Sequence, residues 1–297
     1  MIEPPKPSRL EIIYRRASLV CWLLLASILI TEFVVLDKVS NAVSFLILLS
    51  LFLAAFIVVG AIIFMKKKVS KLRQERRDVY ALLLFNAARS GDLDKFALFL
   101  RPFYVTGKII EVVYSSDSKS STTYELEQTI VKSLGKLMPT VALGKPGEAI
   151  GVGRLLTDEK TWKSAAAVLM RRASLIISVP SSRPGSAWEL EEIIRNGYFA
   201  KTIFLMPPEI NYSPYSVRED WDRLVELMKG HGIAVPDYQK GGLLFSVKPQ
   251  GGYIEEDLFG PSWMPRLWSR GRFQARVPKF LLDAVRRVSS DAGMSLN

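Results

Sequence analysis

Cysteine and histidine are nearly missing from this chain. One cysteine, Cys21, and one histidine, His231, occur in 297 residues. A single thiol excludes an internal disulfide framework and any metal site built on cysteines. A single imidazole excludes a cluster of histidine ligands, and it argues against a Ser-His-Asp mechanism. His231 stands in Lys-Gly-His-Gly-Ile, where glycine on both sides reads as a surface turn. Negative charge is also short. Asp and Glu number 29 against 40 Lys and Arg, which leaves a net charge of +11. Such a balance suits nucleic acid or an anionic membrane surface, and its position along the chain decides between them.

Long apolar runs, by contrast, are present twice. Residues 17–36 read ASLVCWLLLASILITEFVVL and residues 43–65 read VSFLILLSLFLAAFIVVGAIIFM. At about 1.5 Å per residue, a helix of roughly 20 residues crosses a hydrocarbon core of about 30 Å. The first run is too long for a signal peptide, and no small-residue cleavage site follows it. The connector DKVSNA is short, so the two helices should form a tight antiparallel hairpin. Lys6, Arg9, Arg15 and Arg16 precede the first span, and KKKVSKLRQERR follows the second. The connector holds only Lys38 against Asp37. The positive-inside rule then puts both termini in the cytoplasm of a two-pass inner-membrane protein. Lys66, Lys67, Lys68, Lys71, Arg73, Arg76 and Arg77 read as an anchor to anionic lipid, at about 1 kcal/mol per basic residue near the surface. No RNA-binding aromatic motif or zinc spacing accompanies this charge, so the expected partner is the lipid bilayer and not nucleic acid.

The expected organisation is a cytoplasmic segment at 1–16, spans at 17–36 and 43–65, a basic juxtamembrane segment with a connecting helix at 66–94, and one α/β domain at 95–290. Strands are expected at KFALFLRPF, at residues 140–143, at SLIISV, at KTIFLM and at GGLLFSVKP. Helices are expected at 124–137, 161–173, in AWELEEIIRNG, at 218–232 and at 278–289. The stretch SSDSKSSTT reads as a loop or hairpin tip, and GEAIGVGRLLTDEK shows no clear periodicity. The strands are continuous apolar runs, as in a parallel sheet covered on both faces. The fold class is therefore a transmembrane helical hairpin followed by a flavodoxin-like, doubly wound parallel sheet.

Ligands of such folds sit at the carboxyl ends of the strands. Arg101 and Phe103 follow the first strand, and Gly144, Lys145 and Gly147 follow the second. GKPGE is not a Walker A loop, because Pro146 stands where Ser or Thr and a helix should follow the lysine. After SLIISV comes SSRPGSAWELEEII, in which Ser181, Ser182 and Ser186 offer hydroxyls at a helix N-terminus and Trp188 offers a flat face for a base or sugar. Carboxylates at Glu189, Glu191 and Glu192 also suit the N-terminal part of a helix by complementing its dipole.

The spacing Ser186, Trp188, Glu192, Ile193, after a strand and a glycine loop, resembles the Toll/interleukin-1 receptor (TIR) domain family. LFLRPF, GKPGE and WELE together resemble bacterial proteins with two membrane helices and a TIR-like cytoplasmic domain, over roughly residues 95–208. The resemblance implies one of two activities. The domain is either a signalling or assembly module that self-associates, or an effector, in bacterial defence, that cleaves NAD at the nicotinamide–ribose bond. In the second case NAD or a related nucleotide is the ligand. The ribose-engaging glutamate carried over by spacing is Glu192, with Glu189 and Glu191 as rivals if the register slips. A carboxylate there would stabilise an oxocarbenium-like transition state. The chain departs from the family after its first strand, where Arg101, Pro102 and Phe103 replace the usual Ser/Tyr pair and acidic residue.

Overall fold

The computed structural model describes residues 5–36, 41–91, 95–101, 110–113, 121–124, 133–135, 137–144, 152–206, 216–240, 242–248, 251–257, 282–291 and 293. The chain divides into two compact units, Pro4–Arg77 and, for its main part, Asp78–Asn297.

The first unit is built from two helices, α1 (Arg9–Leu36) and the first part of α2 (Asn41–Ser90). Both helices are long and apolar enough to span a membrane. Phe56 and Ile57 are 72% and 70% exposed, and Leu23 and Ile30 are exposed as well. An apolar surface of this extent suits hydrocarbon better than water. Glu11, near the start of α1, pairs with Arg73 and Arg76, while Trp22 stacks with Lys66. Contacts step back along α2 as they step forward along α1, so the two helices are antiparallel, as the short connector implied. Residues 66–90 do not form a separate connecting helix, because α2 continues through them to Ser90. Neither proline nor glycine interrupts residues 61–90, so nothing in that stretch stops the helix.

The second unit is a mixed α/β domain. Its sheet holds β1 (Ala97–Leu100), β4 (Thr140–Gly144), β5 (Gly153–Leu156), β6 (Leu175–Ser178), β7 (Thr202–Met206), β8 (Leu243–Val247) and β9 (Tyr253–Asp257) in the order β5-β4-β1-β6-β7-β8-β9. In a separate antiparallel pair, β2 (Ile110–Val113) lies against β3 (Ser121–Tyr124), so Ser121, Thr122 and Thr123 of the polar SSDSKSSTT stretch belong to a strand and not to the expected loop or hairpin tip. Tyr124 therefore closes a strand instead of opening a helix, and the expected helix is seen only at residues 133–134 among the described residues.

Alternate residues of each strand supply the two faces of the sheet. Leu98, Leu100, Val141, Ile176, Phe204 and Phe245 pack under α3 (Trp162–Arg172), α4 (Pro184–Arg195) and α5 (Val217–Gly230), together with Ala81 and Leu84 of α2. Ala97, Phe99, Ala142, Ile177, Ile203 and Leu244 face the other way, onto Leu134, Met138 and a helix, α6, over 282–291. Burial on both faces is why these strands lack polar alternation.

The first five strands of this sheet are parallel, whereas β8 pairs antiparallel with β7 and β9 pairs antiparallel with β8. This corrects the all-parallel expectation. After α5 the chain makes a turn at Gly232, with φ of 71°. Ile233, Val235 and Tyr238 then lie half-buried against the core. The indole of Trp221 donates to the Pro236 carbonyl (3.1 Å), and the Gln239 N–H approaches the Met206 sulfur at the end of β7 (3.1 Å). The chain has thus returned to the carboxyl end of the sheet before β8 begins, so β8 can only pair antiparallel, with Leu243 opposite Met206. β5 and β9 are additional to the five strands expected from the sequence. β5 is an edge strand whose Arg154 N–H donates to Asp78 of α2 (2.8 Å).

Candidate functional site

From β1 the chain passes to β4 on one side, and later to β6 on the other. The carboxyl ends of β1 and β6 therefore flank the switch point, where open α/β sheets hold their ligands. Leu100 lies opposite Ser178 there, and the Val179 N–H donates to the Leu100 carbonyl (2.8 Å). Arg101 directly follows β1, so it stands beside the loop that leads from β6 to α4.

That loop is short and firmly held. Pro184 occupies the first position of α4, where its fixed φ suits a helix start and no hydrogen bond is lost. Ser182 donates from both its N–H and its Oγ to the Asp220 carboxylate in the first turn of α5. Arg223 Nε donates to the same Ser182 Oγ (3.3 Å). Ser181 Oγ accepts from the Arg183 N–H (3.3 Å). Ser178, Ser181, Ser186, Arg101, Glu189 and Asp220 are all buried. Sequence reasoning missed Asp220, although Val217, Asp220, Trp221, Leu224 and Met228 form one buried stripe at helical spacing.

Among the three glutamates the structure draws a sharp distinction. The inward stripe of α4 is Ser186, Glu189, Leu190 and Ile193. Glu189 is 6% exposed. Burial pushes its carboxyl from 4.5 up to about 8, against the pull of the Arg101 guanidinium, which acts to lower it. At neutral pH this carboxyl is therefore mostly protonated beside a permanent cation. Glu192 is one turn further on and outside the stripe. Its carboxylate pairs with Arg195 and accepts from the Asn196 side chain (3.0 Å). Glu191 is exposed. The spacing favours Glu192, but the buried carboxyl that feels the Arg101 charge is Glu189.

The remaining expected ligand positions separate as follows. Gly144 ends β4, and a Cβ there would lie 2.5 Å from Arg154 Cδ on β5. The space on the Cβ side of this glycine is filled by the Arg154 side chain, so close packing of β4 on β5 already requires glycine here. Trp188 meets Trp162 of α3 edge to face (5.0 Å between ring centroids), and Lys163 Nζ lies 5.4 Å from its ring. Its ring serves the contact between α3 and α4. Phe103, Lys145 and Gly147 lie outside the described residues. Among the described residues there is no His/Cys/Asp/Glu cluster able to hold a metal.

Taken together, the switch point offers a guanidinium, several hydroxyls and a carboxyl able to donate a proton, all largely withdrawn from water. Such a set suits a polar, anionic ligand. Comparison with protein-family models gives no match to this chain, and comparison with curated proteins and with solved structures gives none either.

Proposed function

We propose that this chain is a membrane-anchored signalling or assembly module, inserted by α1 and α2 with both termini in the cytoplasm and carrying a TIR-like α/β domain. The parallel series β4-β1-β6-β7 supports the flavodoxin-like part of this reading, since it follows the first four places, 2-1-3-4, of the order 2-1-3-4-5; the antiparallel β8 departs from that fold, and β5 and β9 lie outside the series. The observation that carries the module reading is the engagement of Glu192 by Arg195 and Asn196. A carboxylate neutralised on its own helix is poorly placed to stabilise a developing oxocarbenium ion. Copies of the full chain are expected to associate in the membrane.

A second reading is favoured by one observation, the burial of Glu189 beside Arg101. In that reading the domain binds NAD or a related nucleotide and cleaves it with Glu189. One experiment separates the two. The full chain is clustered on liposomes and incubated with NAD while nicotinamide release is followed. The module reading expects no release at any protein density. Release abolished by Glu189→Gln and retained by Glu192→Gln would establish the second reading. A full chain that stays monomeric at every density in the membrane would sink the first.

A further inference from the structure

The basic run after the second span is not a uniform charge. Arg73 and Arg76 both pair with Glu11, at 3.2 and 3.5 Å, and Glu11 is 1% exposed. Ser8 sets this carboxylate in place by capping α1, its Oγ accepting from the Glu11 N–H (3.1 Å). Lys66, Lys67, Lys68 and Lys71 have no carboxylate partner among the described residues, and all four are exposed. Lys66 and Lys68 instead sit over aromatic rings. Lys66 Nζ is 5.2 Å from the Trp22 ring, and Lys68 Nζ is 5.5 Å from the Phe64 ring. Tryptophan and lysine at one level mark the headgroup layer of a bilayer. On α1, Arg15 and Arg16 are exposed a few residues before Trp22. Arg73 and Arg76 lie about 10 and 15 Å further along α2 than Lys66, at 1.5 Å per residue.

We infer that Lys66, Lys67, Lys68 and Lys71 form the headgroup site for anionic phospholipid, and that Glu11 withholds Arg73 and Arg76 from that site by pairing with them. The arginines clamp the start of α1 to α2, and the lysines recognise lipid. The inference rests on α1 and α2 being membrane spans, and it is independent of what the α/β domain does. Four lysines within about 7.5 Å of helix length give a summed attraction to a phosphate layer, which falls with salt. Glu11 cancels one of the two guanidinium charges and holds both side chains against the start of α1, so the arginines add less to that attraction than the unpaired lysines do.

The test uses the full chain in detergent with equal phosphatidylglycerol and phosphatidylcholine, and counts retained lipids by native mass spectrometry. The wild type is expected to retain phosphatidylglycerol in preference. Replacing all four lysines by Gln should reduce that preference at least about tenfold. Arg73→Gln with Arg76→Gln should change it less than about twofold. Glu11→Gln should raise it, because two arginines are released. Helical circular dichroism of each variant checks that the hairpin is intact. Equal retention of both lipids by the wild type, or a loss in the arginine variant as large as in the lysine variant, would overturn the inference. Release of the wild type from membranes by alkaline carbonate would remove the bilayer from the picture and the inference with it.

Discussion

Replacing Glu189 by Gln should make this protein more stable at neutral pH and should flatten its dependence on pH. The magnitude follows from the site. In the unfolded chain this carboxyl ionises near 4.5, whereas in the folded domain it ionises at about 8. Below pH 4.5 it is neutral in both states and costs nothing. Between the two values the unfolded chain has given up the proton that the folded chain still holds, so stability falls by about 1.4 kcal/mol per pH unit. The loss is complete above pH 8, where it amounts to about 5 kcal/mol; at pH 7 it is about 3 kcal/mol. Glutamine keeps the shape and has no proton to lose. The assay is guanidinium unfolding of the full chain in nanodiscs, followed by tryptophan fluorescence, at pH values from 4.5 to 8.5. Other groups titrate in both proteins, so the quantity to read is the difference between wild type and Glu189→Gln. It should widen in favour of the variant as pH rises. A constant difference would refute the reasoning, because it would mean that Glu189 ionises at its ordinary value despite its burial.

Two further substitutions test the packing around the site. Gly144→Ala should destabilise the domain by about 1–3 kcal/mol, since the buried Arg154 side chain must yield to the new methyl group; a lower denaturation midpoint checks it. Trp221→Ala should cost about 3–5 kcal/mol and release residues 233–240 from the core, which hydrogen exchange would show as lost protection along that segment.

The apolar runs made the two long apolar helices and the buried strands legible, because an apolar surrounding leaves one kind of residue at successive positions. The antiparallel β8 was not legible. Its direction is set by where residues 233–240 lie, and that path depends on the socket formed by Trp221 and Met206. β5 is only four residues long, and its pattern is broken by a buried Arg154, so no period could emerge. The helix of the site carried its own answer. Ser186, Glu189, Leu190 and Ile193 share one stripe at helical spacing, and that stripe alone identifies Glu189 as the inward carboxyl. Motif spacing pointed to Glu192 instead because it counts residues along the chain and not around the helix. The role of Arg101 could be anticipated as far as its place after a buried strand, but the opposing pull of burial on Glu189 depends on distances no sequence contains.

The bond from Arg154 to Asp78 has a consequence for how copies of this domain can join. An edge strand with free N–H groups invites another strand to add to it, and unchecked growth of that kind ends in fibres. Here α2 occupies a donor on the β5 edge. At the opposite edge β9 runs Tyr-Ile-Glu-Glu-Asp; Arg287 of α6 holds the Glu256 carboxylate, and a charged edge strand of this kind resists the addition of another strand. Both edges therefore disfavour continuation of the sheet from one copy into the next.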